Sequence, residues 1–261
     1  MSDFNSKIEE ILADLQGKSL QTFSWGSITT YTFWILITLL VVFAAVWLLR
    51  SRISFIPRRG PVAALEAVVD YIRREIGENI LGSSARQHLP FLLTLFFFIL
   101  AANLIGLVPG AKAASGTMSA TVALAICSFG YFTWAGIRHS GLGRYIVSLA
   151  PAGLPPGLNV LVWLIELFSQ LLRIATLSIR LFANMFAGHL VLGCFAALTS
   201  IYILPLIQQF TLANLGGGLA SIGWIAMLTA VYALETMVAF IQAYVFTLLS
   251  GVYIQLATSS H

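Results

Sequence analysis

The sequence predicts an all-α integral membrane protein. It has about five membrane-embedded helices and one interfacial amphipathic helix, and the last two membrane helices form a long, steeply tilted hairpin. Three observations predict this. Hydrophobic residues make up 59% of 261 positions and charged residues 9%, against about 45–50% and about 25% in soluble domains. The apolar residues gather into charge-free runs long enough to cross a hydrocarbon core of about 30 Å. After Glu78 the only acidic residues are Glu166 and Glu235, and both sit inside apolar runs. So few charges cannot cover a soluble globule, which excludes an ordinary soluble enzyme, a disordered chain and a disulfide scaffold. The formal charge of +4 comes from arginines dispersed along membrane-flanking segments, so no nucleic-acid partner is expected.

Each element follows from its local pattern. Residues 1–20 carry Asp3, Lys7, Glu9, Glu10, Asp14 and Lys18, with Ile8, Ile11, Leu12 and Leu15 on one helical face. That is an external amphipathic segment and not a signal peptide, which starts basic. Residues 27–50 are expected to form the first spanning helix, closed by Arg50, Arg52, Arg58 and Arg59. Over 61–81, Val62, Leu65, Val68, Val69, Ile72 and Ile76 recur at helical spacing, opposite Glu66, Asp70, Arg73, Arg74 and Glu78. This pattern fits a helix lying in the interface. Residues 88–140 hold two charge-free runs separated by Pro109-Gly110 and Lys112, which reads as a spanning hairpin.

After Pro151–Gly157, no strong helix breaker occurs until Pro205, and none from Gly216–Gly218 to the C-terminus. The expected helices, 158–204 and 218–257, are about 70 and 60 Å long at 1.5 Å per residue. They fit a bilayer only by tilting steeply, bending or protruding. Nine of the fourteen basic residues lie in 50–86 and 138–144. The positive-inside rule puts those segments in the cytoplasm and the N-terminus outside.

Ionisable groups within apolar helices mark function, because even the mildest scale charges about 2.5–3.5 kcal/mol for each. Glu166, Arg173, Arg180 and Asn184 follow one another at 7, 7 and 4 residues, nearly one helical face. His189 lies nine residues beyond Arg180 on the opposite face. Glu235 and Gln242 share a face of the antiparallel last helix, which brings Glu235 to the depth of His189 as an acid–base pair. Simpler readings stand beside these. Glu166 and Arg173 suit snorkelling at the interface. Asn103, Asn184 and Gln242 suit interhelical hydrogen bonds, the favoured reading for Asn103. His189 suits a packed histidine, and Arg180 a structural cation paired with Glu166 or Glu235.

Two polar half-paths, an outer one at His189 and Glu235 and an inner one at Glu166, flank a cation that cannot release its proton. A proton path of this form needs a carrier carboxylate on another subunit. No HExxH, GxSxG or CxxC occurs, and Cys127 and Cys194 lie in apolar runs. No metal, cofactor or catalytic residue is therefore expected. A GxxxxGK[ST] motif is also missing, so no ATP site is expected in this chain.

At these residues the sequence resembles subunit a of the F-type rotary ATP synthase. The resemblance rests on "IELFSQLLRIATLSIRLFANMFAGHL", "LETMVAFIQAYVFTLLSGVYI" and "NLIGLVPG". It is closest over the last hundred residues, carries through 88–140 and is loosest before 60. It implies a proton-translocating stator subunit that works with a c-ring of small hairpin subunits and peripheral stalk subunit b. It implies that Arg180 faces a ring carboxylate and blocks a proton shunt. Asn184, His189, Glu235 and Gln242 would line the outer half-channel, and Glu166 would border the inner one. Some bacterial members carry Glu at the place of His189 and His at that of Glu235; this chain has the exchanged arrangement, similar to mitochondrial members. It also has Ala175 where many relatives have proline. The acidic N-terminal segment favours a bacterial plasma membrane over a mitochondrial inner membrane. The rival readings are a stand-alone ion-coupled secondary transporter, which would show internal repeats, and a structural membrane anchor.

Overall fold

The computed structural model describes residues 9, 19–23, 26–50, 61–108, 110–143, 145, 156–208 and 212–258. Apart from Glu9 and the first two residues of β1, the expected N-terminal amphipathic segment lies outside these residues, as does the Arg52–Arg59 cluster. The first described element is a small antiparallel hairpin, β1 Ser19–Phe23 and β2 Gly26–Thr29, in which Phe23 faces Gly26 and Ser19 faces Thr29. Every other described element is helical: α1 Thr30–Arg50, α2 Pro61–Ile72, α3 Ala85–Gly106, α4 Met118–Ser140, α5 Pro156–Gln208 and α6 Leu212–Thr258. Five of these, all but α2, are long and apolar enough to cross a membrane. The protein is an all-α integral membrane protein.

The first helix begins at Thr30 because 26–29 is taken up by the hairpin. Beyond Ile72 the interfacial helix continues to Leu81 with π-type hydrogen bonding, a rare geometry that widens the turn. This stretch packs Ile72, Ile76 and Leu81 into the core and leaves its charges outside. There Arg73 pairs with Glu78 at 3.2 Å and Arg74 with Asp70 at 2.8 Å.

The long helices exceed their expected bounds. α5 runs through Pro205 to Gln208, and α6 begins before Gly216–Gly218. A proline near a helix end removes one hydrogen bond of the last turn, and each glycine costs about 1 kcal/mol against alanine. Pro205 falls in the last turn of α5 and Gly216–Gly218 in the first two turns of α6, where few backbone bonds are at stake and the helix persists.

α6 is the central element and packs on α3, α4 and α5. Lipid is as apolar as leucine, so such helices associate through close packing and scattered hydrogen bonds. Phe96, Ile99, Leu181, Phe246 and Ile254 fill the middle of the bundle. Close approach comes at Gly251, where an added Cβ would lie 2.7 Å from Ile76 Cγ2. Ser128 and Ser250 hydrogen-bond across α4 and α6 at 2.8 Å. Ser115 donates to Asn103 Oδ1 at 2.6 Å, and Asn103 Nδ2 donates to the Ala239 carbonyl at 3.5 Å. Asn103 therefore joins α3 to α6 one turn from Glu235, the structural role that the sequence favours for it.

Candidate functional site

The site is built on the α5–α6 hairpin. Along α5, Leu177, Leu181, Met185, Gly188 and Leu192 are buried, whereas Leu172, Thr176, Ile179, Arg180, Ala183 and Phe186 are exposed. Steps of three and four residues put each set on one helical face. Arg180 thus stands in an otherwise apolar face, and among the described residues no carboxylate pairs with it. The alternative of an intrachain pair with Glu166 or Glu235 does not hold.

Glu166 instead accepts from Arg173 Nη2 at 3.1 Å, and the Arg173 guanidinium sits 5.0 Å from the Tyr253 ring centroid. The 166–173–180 row is therefore split. Its first two members neutralise each other against α6, and the third remains free for something outside the chain. Tyr253 as the second partner of Arg173 was missed in the sequence. An aromatic residue near the α6 terminus is the one signal that would have suggested it.

Farther along α5 the polar groups turn inward. Asn184 Nδ2 and His189 Nε2 are buried without a hydrogen-bond partner among the described residues. Glu235 is 9% exposed and its carboxylate lies directly on the Gly188 backbone, where an added Cβ would meet its oxygens and sit 2.5 Å from Cδ. Glu235 and His189 therefore share one level. They do not form a direct pair: no hydrogen bond or ion pair joins them. The reason is angular. Glu235 seats on Gly188, and the next residue along a helix points about 100° away.

His189 lines a cavity of ≈ 60 Å³ with Tyr31 of α1, Phe186, and Lys112 from the loop between α3 and α4. Lys112 Nζ lies 5.5 Å from the Tyr31 ring centroid. Gln242, two turns after Glu235, is 7% exposed. The arrangement offers a buried carboxylate and imidazole at one level of the hairpin. A guanidinium stands on the exposed face at another level, and a neutralised carboxylate lies beyond it. Such a series sets titratable groups at either end with a fixed cation between them.

Residues 32–255 match the family model described as ATP synthase A chain. The chain is 36% identical over 236 residues to ATP synthase subunit a of Myxococcus xanthus, covering 89% of this chain and 73% of the relative. It is 37% identical over 239 residues to ATP synthase subunit a of Magnetococcus marinus, covering 90% and 86%. A third relative, ATP synthase subunit a of Chloroherpeton thalassium, is 35% identical over 209 residues; the match covers 77% of this chain and 56% of that longer protein.

Proposed function

The chain belongs to the ATP synthase A chain family, and from that premise we propose that it is the proton-translocating stator subunit of a rotary ATP synthase. The observation that carries the mechanism is Arg180, a permanent cation on a largely apolar helix face with no carboxylate partner among the described residues. An exposed guanidinium in lipid is costly. A carboxylate presented by a neighbouring ring of small hairpin subunits would offset that cost. The exposed apolar residues that flank Arg180, Ile179 and Leu172 among them, supply the sliding surface.

Protons reach the ring from the outside past Glu235, His189, Asn184 and Gln242. The buried Asn184 and His189 nitrogens, which lack protein partners among the described residues, support such a route, since polar atoms of this kind take up water or a relayed proton. The loaded ring carboxylate is neutral and turns through lipid. On return it releases its proton past Glu166, and Arg180 favours the ionised form as it passes. Because arginine keeps its proton, the two half-paths do not join into a leak. Each proton delivers about 2.3 kcal/mol per 100 mV. The described spans of 47 and 38 residues are about 70 and 57 Å long at 1.5 Å per residue. Lying steeply tilted along the ring accommodates them in the bilayer. The seat of the complex is a bacterial plasma membrane, with a peripheral stalk subunit b holding this chain against rotation.

Purification from native membranes tests this reading. The chain should be recovered with a ring of small hairpin proteins and with soluble nucleotide-binding subunits, and the complex should pump protons on ATP hydrolysis. Recovery as a self-contained transporter without a ring would refute it.

A further inference from the structure

A second cavity lies at the opposite end of the bundle from Lys112 and Tyr31. Its volume is ≈ 580 Å³, and it is formed where the start of α3, the end of α4 and the last turn of α6 meet. Its walls carry Gln87, His88, Tyr131, Trp134, Arg138 and His139, and among the described residues none of its lining is acidic. The size decides against a single ion, since a water takes about 30 Å³ and ligand pockets run from about 300 to 1,000 Å³.

The walls are ordered by contacts among themselves. His88 Nδ1 and the Tyr131 hydroxyl are 3.1 Å apart, and Tyr131 stacks on Phe91 at 3.7 Å. The Arg138 guanidinium lies 5.2 Å from the Trp134 ring centroid. Among the described residues no carboxylate pairs with Arg138, so its donors are held at the cavity with no anion to match them. The cavity opens onto α4, where Cys127, Gly130, Trp134 and Arg138 are exposed at steps of three and four. At Gly130 an added Cβ would meet nothing within 4 Å. This lane leads from apolar surface to a tryptophan and then to an arginine, the order of a membrane boundary.

We propose that this cavity binds the phosphate of an anionic phospholipid, with the acyl chains lying along the Gly130–Trp134 lane of α4. Arg138 supplies the charged donors and His139 and Gln87 the further ones. Basic pockets between membrane helices on the positive side hold anionic headgroups for the same reason. The open apolar lane selects a lipid over a soluble phosphate, which would have no use for it. The inference rests on the cavity alone and is independent of the proton path.

The test uses the assembled membrane complex, stripped of lipid in neutral detergent and titrated with phosphatidylglycerol while native mass spectrometry counts bound lipid. The wild type should hold one phosphatidylglycerol more tightly than the rest. Arg138→Gln should weaken it about fivefold, the effect of one basic side chain at an anionic surface, and Arg138→Lys should restore most of it. Arg86→Gln, at an exposed arginine of α3 outside the cavity lining, should leave it unchanged. Equal losses in Arg86→Gln and Arg138→Gln would reduce the effect to general surface charge and overturn the site. Displacement of the lipid by millimolar inorganic phosphate as readily as by phosphatidylglycerol would assign the cavity to soluble phosphate and overturn the lipid. Unchanged lipid binding in Arg138→Gln would remove the proposal outright.

Discussion

Gly188→Ala is the smallest change that reaches the outer half of the proton path. The added methyl would lie against both carboxylate oxygens of Glu235 and 2.5 Å from its Cδ, where ordinary contact begins at 3.4 Å. The carboxyl carbon must therefore retreat by about 0.9 Å, the difference of those two distances. The helix itself gains, since alanine is favoured over glycine by about 1 kcal/mol. The overpacking costs about 1–3 kcal/mol, too little to prevent assembly. A misplacement of about 1 Å in a reacting group costs on the order of 10²-fold in rate. ATP-driven acidification of inverted membrane vesicles, followed by fluorescence quenching and normalised to assembled complex, should fall by about ten- to a hundredfold. Adding Glu235→Asp withdraws the carboxyl by about one C–C bond, roughly 1.5 Å, and should recover part of the loss. Wild-type pumping in Gly188→Ala at equal assembly would show that Glu235 need not rest where the structure puts it.

Three further outcomes are expected. His189→Ala and Glu235→Ala should each slow proton uptake, and the exchange of His189→Glu with Glu235→His should retain more transport than the two single losses imply together; strictly additive losses would separate the two residues. Glu166→Gln removes the bridge to Arg173. The pair is only partly buried, with side chains 21% and 34% exposed, so the complex should lose no more than about 1 kcal/mol in melting experiments while proton release slows severalfold; unaltered pumping would take Glu166 out of the inner path. Impermeant thiol reagents should label Leu142→Cys from the cytoplasm and Ala111→Cys from outside, and labelling of both from one side would invert the topology.

The spans were legible because a membrane leaves a coarse signature: charge-free runs bounded by arginine. Helix ends were less so, since Pro205 and Gly216–Gly218 read as breakers, yet each sits in a terminal stretch of its helix where a breaker costs little. The hairpin at 19–29 was hidden inside a charge-free stretch that reads as the approach to a helix. The π-turns after Ile72 leave no mark in an amphipathic pattern. At the site, spacing in an antiparallel hairpin put Glu235 on the outer side with His189, at nearly one depth if Gln242 is level with Arg180, and put Arg180 on another face of its helix from His189. It could not give azimuth across two helices, which is why the His189–Glu235 pair was expected only as within reach and Gly188 was missed as the seat of Glu235. A glycine beside a polar residue in mid-helix was the available signal. Lys112 and Tyr31 beside His189 depend on how α1 and a loop pack, and no local pattern encodes that.

Arg180 tests the central claim most directly. Passive proton flux and ATP-driven pumping should be measured in vesicles carrying Arg180→Ala, Arg180→Lys, and Arg180→Ala combined with Glu235→Ala, at matched assembly. Two half-paths held apart by a fixed cation predict no coupled pumping in any of the three. They also predict a passive leak in Arg180→Ala that Glu235→Ala suppresses. Coupled pumping that persists in Arg180→Ala would contradict them.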